Sequence, residues 1–120
     1  MHALIIEPDS WVSLMIEDAL SEVGYSSFDI AGTEEEAIAM ARERCPDLIT
    51  SDVRLSSGCG IETVRAICTD RAIPVVFVTS TGWEVRQHCD EVAVVQKPFG
   101  VHDLKAAITT AVAAPLPAGW

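Results

Sequence analysis

Residues 46–52, Pro46-Asp47-Leu48-Ile49-Thr50-Ser51-Asp52, decide how this chain is read. A helical pattern stops at Cys45-Pro46, because a proline pushes the residue before it away from helical geometry. The segment Asp47 to Ser51 then reads as a strand that delivers Asp52 at its carboxyl end. Upstream, Ala3-Leu4-Ile5-Ile6 is a continuous apolar run ending at Glu7-Pro8-Asp9, the mark of a strand buried on both faces. Downstream, Ile73 to Val78 is another such run ending at Thr79, and Val92 to Val95 is a last one leading to Lys97-Pro98. A more polar stretch, Tyr25 to Ala31, suits a sheet edge.

Helical patterns fill the gaps. Val12, Met15, Ile16, Ala19, Leu20 and Val23 lie on one helix face, with Gly24 as the stop. Thr33 with Glu36 is a capping box that starts a second helix running to about Arg44. Ile61, Val64, Ile67 and Cys68 mark a third, Gly82 to about Cys89 leaves room for only a short fourth, and Val101 to Val112 makes a fifth. Five strand–helix units with near-continuous apolar strands predict a doubly wound parallel α/β sheet covered on both faces. Right-handed crossovers bring every strand's carboxyl end to one edge, and ligands of such open sheets bind there.

Composition narrows the function. The chain has 120 residues, the size of one domain, with 49% hydrophobic residues, enough for a buried core. Its net charge is −10, and residues 1–52 hold 12 of the 18 acids but only 2 of the 8 bases. Such a surface disfavours phosphate backbones and anionic lipid, so neither nucleic acid nor membrane is expected as a partner. No signal peptide or spanning stretch is visible, and Cys45, Cys59, Cys68 and Cys89 lack zinc spacing, which fits reduced thiols in a cytoplasmic protein. His2, His88 and His102 are scattered, which argues against a histidine metal site.

The strand ends collect Glu7, Asp9, Asp52, Thr79 and Lys97. This set suits phosphoryl transfer to a carboxylate. Asp52 would be the acceptor, carboxylates would hold a hard cation such as Mg²⁺, Lys97 would contact the phosphoryl group as a point charge, and Thr79 would hydrogen-bond it. Asp9 has a second reading, as the N-cap of the first helix. Trp11 and Trp83 are placed at the flanks of the pocket.

Over residues 2–113 the chain resembles the receiver domains of two-component response regulators. Ile5-Ile6-Glu7, Pro46-Asp47-Leu48-Ile49 leading to Asp52, Gly60, Pro74 to Thr79, and Lys97-Pro98-Phe99 carry the resemblance. It implies a flavodoxin-like (βα)5 fold of strand order 2-1-3-4-5, with a receiver over residues 1–114 and a short tail at 115–120. It implies Mg²⁺ held by Glu7, Asp52 and the Arg54 carbonyl, a cis Lys97-Pro98 bond, and phosphorylation of Asp52 by a histidine kinase or phosphotransfer protein. No enzymatic turnover on a separate substrate is implied. With no output domain following, the signal is expected to reach a downstream protein. The face of helix four, strand five and helix five is a homodimer surface in many members.

Three departures stand out. Pro8 occupies the place of a metal-ligating Asp and has no ligand atom. Val94 replaces the aromatic switch residue, and Ser56 a common proline. The Arg54 side chain either pairs with Asp52 or Glu7, partly replacing missing metal charge, or points to solvent. Pro8 and Val94 support a second reading, a pseudo-receiver that binds partners without phosphorylation. A haloacid-dehalogenase-type hydrolase would resemble Asp-x-Asp, but Arg54 stands at the second position. A flavin domain would need a hydroxyl-rich phosphate loop where Glu7-Pro8-Asp9 stands.

Overall fold

The period-two alternation of the first strand sorts its side chains to two cores, and the rest of the architecture follows from that. In the computed structural model, which describes residues 1–120, the order is β1 (His2–Ile6), α1 (Ser10–Glu22), β2 (Ser27–Ala31), α2 (Glu34–Glu43), β3 (Leu48–Ser51), α3 (Gly60–Ile67), β4 (Val75–Thr79), α4 (Gly82–His88), β5 (Ala93–Gln96) and α5 (Val101–Ala113). The strands are all parallel and ordered β2-β1-β3-β4-β5, as the resemblance implies.

Ala3 and Ile5 pack with Ile16, Leu20, Leu104 and Ile108 of α1 and α5 on one face. Leu4 and Ile6 pack with Ala37, Val64 and Val85 of α2, α3 and α4 on the other. Each fully buried Leu or Ile contributes about 1.5–3 kcal/mol by leaving water. β2 lies at an edge and is less buried than β1, β3 and β4, as its polarity predicts. It starts later than expected, because Tyr25 is spent on closing α1: its N–H bonds the Leu20 carbonyl while its ring is buried beneath the helix. Gly24 makes that closure with φ +107°, a geometry that costs glycine little. β4 starts at Val75 rather than Ile73, and Pro74 lends the ladder only its carbonyl, to Ile49 N–H.

The segment after α5 packs back on the body. Leu116 is buried, Gly119 N–H bonds the Cys68 carbonyl, and the Trp120 ring meets Phe77 edge-on at 6.5 Å. No helix is long and apolar enough to cross a membrane.

Candidate functional site

The parallel sheet delivers Glu7 after β1, Asp52 after β3, Thr79 at the end of β4 and Lys97 after β5 to one edge. Backbone bonds hold each donor in place: Glu7 N–H to the Ala31 carbonyl, Asp52 N–H to Ile6, and Lys97 N–H to Thr79. The Lys97-Pro98 peptide is cis, as the resemblance implies. Across this edge the Lys97 ammonium donates to Glu7 Oε1 at 2.8 Å and to Asp52 Oδ2 at 2.9 Å. Glu7 is 3% exposed, so one cation serves two carboxylates at a largely buried spot.

The protonation balance follows from that geometry. Burial lifts the Glu7 carboxyl above its ordinary value and outweighs the bonds from Lys97 and Asp9 N–H, with the Asp52 charge adding to the rise. Burial acts on Lys97 in the opposite sense, but the bonds and charges of Glu7 and Asp52 together prevail and hold the ammonium above its ordinary value. Lys97 is therefore charged at neutral pH. Asp52 Oδ1 accepts from Val53 N–H at 2.7 Å. The Thr79 hydroxyl oxygen accepts from Thr81 N–H at 3.1 Å and lies 3.2 Å from the Thr81 hydroxyl, leaving it a choice of partner.

The loop behind Asp52 explains Gly60. A Cβ there would collide with the Asp52 carbonyl oxygen, while Gly60 N–H bonds the Val53 carbonyl at 2.7 Å. Only glycine lets α3 start this close to the acceptor strand.

Two alternatives that the sequence left open are decided by the structure. The Arg54 side chain pairs with neither Asp52 nor Glu7. It reaches Glu84 Oε1 at 2.8 Å with 72% of the side chain exposed. Val53 takes the inward position, buried in the core, so its neighbour faces outward, and Lys97 already fills the space between the two carboxylates. Asp9 does not join the cluster either. Its Oδ1 accepts from Trp11 N–H at 2.9 Å and Val12 N–H at 3.3 Å, so it is the N-cap of α1, the other reading of that residue.

These placements bear on Mg²⁺. The ion asks for an octahedral oxygen shell, usually with one or two carboxylates and several waters. Here the Pro8 side chain offers no ligand atom, Asp9 is committed to its cap, and both remaining carboxylates share the single charge of Lys97. No cluster of three or more His, Cys, Asp or Glu side chains forms. The donor set does not fit a full magnesium site. Trp11 and Trp83 lie in the first turns of α1 and α4, beside this edge, and are 71% and 61% exposed. Val94 is half-buried against the core of the α2–α4 face.

Two residues escaped the sequence reading. Gln96 Nε2 donates to the Ser80 carbonyl at 2.6 Å and its Oε1 accepts from Gly82 N–H at 3.4 Å, pinning the loop between β4 and α4. Glu84 ties the start of α4 to Arg54. The available signal for Gln96 was its place beside Lys97 on the face of Val94, whereas Glu84 carried none.

Comparison with known proteins agrees with this fold. Residues 3–109 match the family described as response regulator receiver domain. The transcriptional regulatory protein PdtaR of Mycobacterium tuberculosis is 31% identical over 115 residues, covering 92% of this chain and 56% of PdtaR. The chain spans about half the length of the curated relatives it matches. The response regulator PhyR from Brucella abortus is 30% identical with TM-score 0.84, over 92% of this chain and 47% of that one. The receiver domain of Erythrobacter litoralis PhyR has TM-score 0.86 at 24% identity, over 95% and 91% of the two chains, and shares the fold. The chain therefore belongs to the response regulator receiver domain family, whose members are signalling phosphoacceptors that generally bind Mg²⁺ at the phosphorylation site.

Proposed function

We propose that Asp52 accepts a phosphoryl group from the phosphohistidine of a histidine kinase or phosphotransfer protein, and that the chain then signals by contact with a downstream protein. The observation that carries this reading is the Lys97 ammonium, 2.8 Å from Glu7 and 2.9 Å from Asp52. An Asp52 oxygen attacks phosphorus as the P–N bond to histidine breaks, giving an aspartyl phosphate and a free imidazole. Lys97 keeps its proton and moves its charge from carboxylate to phosphoryl oxygens. The Thr79 hydroxyl turns from Thr81 to donate to the same group. Glu7 stays behind Lys97 and keeps it aimed at the pocket.

In this reading any Mg²⁺ would be held only weakly, by Glu7, Asp52 and the Arg54 carbonyl, and Lys97 supplies much of the positive charge. The −10 charge favours a protein partner over nucleic acid or membrane, in the cytoplasm. The α4–β5–α5 face, where Val101 is exposed, remains the proposed surface for a homodimer.

The test is incubation with acetyl phosphate across a range of Mg²⁺, read by intact mass. One added phosphoryl group, absent in Asp52→Ala, is expected. A second reading, a pseudo-receiver that binds partners without phosphorylation, is favoured by Pro8, by the commitment of Asp9 to its cap and by Val94. No mass gain at any Mg²⁺ level would select it and overturn the first.

A further inference from the structure

Eight side chains of this chain carry Lys or Arg charge, and six are engaged. Lys97 holds Glu7 and Asp52, Lys105 pairs with Glu22, and Arg54 with Glu84. Arg44 donates to Ser27, Arg86 to the carbonyls of Asp90 and Val92, and Arg65 lies over the Trp120 ring. Arg42 and Arg71, which have neither an oxygen partner nor a ring to lie over, line the same cavity. It lies between α2 and α3, toward the sheet edge opposite Asp52, and has a volume of about 370 Å³, within the range of small-molecule sites. Its walls mix the aliphatic side chains of Ile38, Ala41, Ile67 and Ile73 with Arg42, Asp70 and Arg71, and more of the exposed lining is polar than apolar.

We propose that this cavity binds a small organic anion, a carboxylate carried on a short apolar body. The guanidinium fork matches a carboxylate in two parallel hydrogen bonds, and the aliphatic side chains of Ile38, Ile67 and Ile73 contact one side of the body. Helix ends do not account for both cations. Arg42 sits in the last turn of α2, where it also favours the exposed carbonyls, but Arg71 lies in the loop beyond α3. The partner of Arg71 is the Cys45 sulfur at 3.3 Å, a weak acceptor that a carboxylate oxygen replaces at a gain. Asp70 lines the same cavity and, with the acidic field of the whole chain, restricts the site to a single negative charge.

The experiment is a ¹H–¹⁵N titration of the full chain with sodium hexanoate, with 1-hexanol and sodium phosphate as controls. Saturable shifts are expected at Ala41, Cys45, Ala66 and Ile73, with hexanol and phosphate each roughly tenfold weaker or more. The double variant Arg42→Ala/Arg71→Ala, at exposed positions, keeps its spectrum elsewhere and binds hexanoate roughly tenfold more weakly. Hexanoate also slows alkylation of the exposed Cys45 by N-ethylmaleimide while leaving Cys89 unchanged. Non-saturable shifts, equal binding of hexanol or of phosphate, or an unaffected double variant each overturn the proposal.

Discussion

The two ends of the first strand both bury polar groups, and they do so differently. At the carboxyl end a permanent cation, Lys97, arrives from a distant strand and serves two carboxylates, Glu7 and Asp52. At the amino end His2 is 3% exposed, its Nδ1 is 2.8 Å from Ser27 Oγ and its Nε2 is 2.9 Å from Asp29. Arg44 donates to the Ser27 hydroxyl, and the two ring nitrogens pair with that hydroxyl and with the Asp29 carboxylate. The His2 backbone N–H meets the Asp47 carboxylate at 2.7 Å. Both ring nitrogens of His2 are taken by neighbours, and the buried ring has nothing left to offer a third party. At the carboxyl end Lys97 has one more proton than its two partners use, and Asp52 remains partly open to solvent. Buried polarity is structural in the first case and chemical in the second.

Substitutions sharpen that contrast. The largest loss is expected for Lys97→Ala, which leaves two carboxylates facing each other and costs about 3 kcal/mol at neutral pH by denaturant unfolding. That deficit depends on pH with a definite sign. Glu7 already titrates above its ordinary 4.5, so between 4.5 and its raised value the fold binds more protons than the unfolded chain, and stability falls as pH rises through that window. Removing Lys97 lifts Glu7 further and widens the window. The deficit therefore shrinks as pH falls toward 4.5, and a pH-independent deficit would break the account of the carboxyl end.

His2→Ala comes next, at about 2 kcal/mol, from a lost buried ring and an unsatisfied network. It should leave Asp52 phosphorylation by acetyl phosphate unchanged, and a parallel loss of phosphorylation would erase the distinction between the two ends. Pro8→Asp restores a carboxylate beside Glu7 and should tighten Mg²⁺ roughly tenfold by calorimetric titration. Wild-type affinity equal to that of the variant would mean the proline is no defect. The smallest effect belongs to Arg54→Ala, below about 0.5 kcal/mol, because its ion pair with Glu84 is largely exposed and screened.

The carboxyl end was legible in the sequence and the amino end was not. Glu7, Asp52, Thr79 and Lys97 each follow an apolar run, so a parallel topology places them together before any coordinates are known. His2 stands at the start of such a run and was read only as one of three scattered histidines. Its partners, Ser27 and Asp29, alternate along β2 on one face, but the register that sets them against His2 exists only once β1 and β2 pair.

By itself the sequence determined the order of the elements, the parallel sheet and the residues at its carboxyl edge. Apolar continuity, capping residues and the handedness of crossovers are local or topological constraints that leave one outcome. Tertiary structure alone decided which carboxylate Arg54 meets, that Asp9 caps a helix instead of facing the pocket, that Gln96 pins the loop before α4, and that Trp120 docks on Phe77. Those outcomes are competitions for partners between segments far apart in the chain. Lys97 reached the space between Glu7 and Asp52, and Arg54 was turned outward by the burial of Val53, a result that no local pattern encodes.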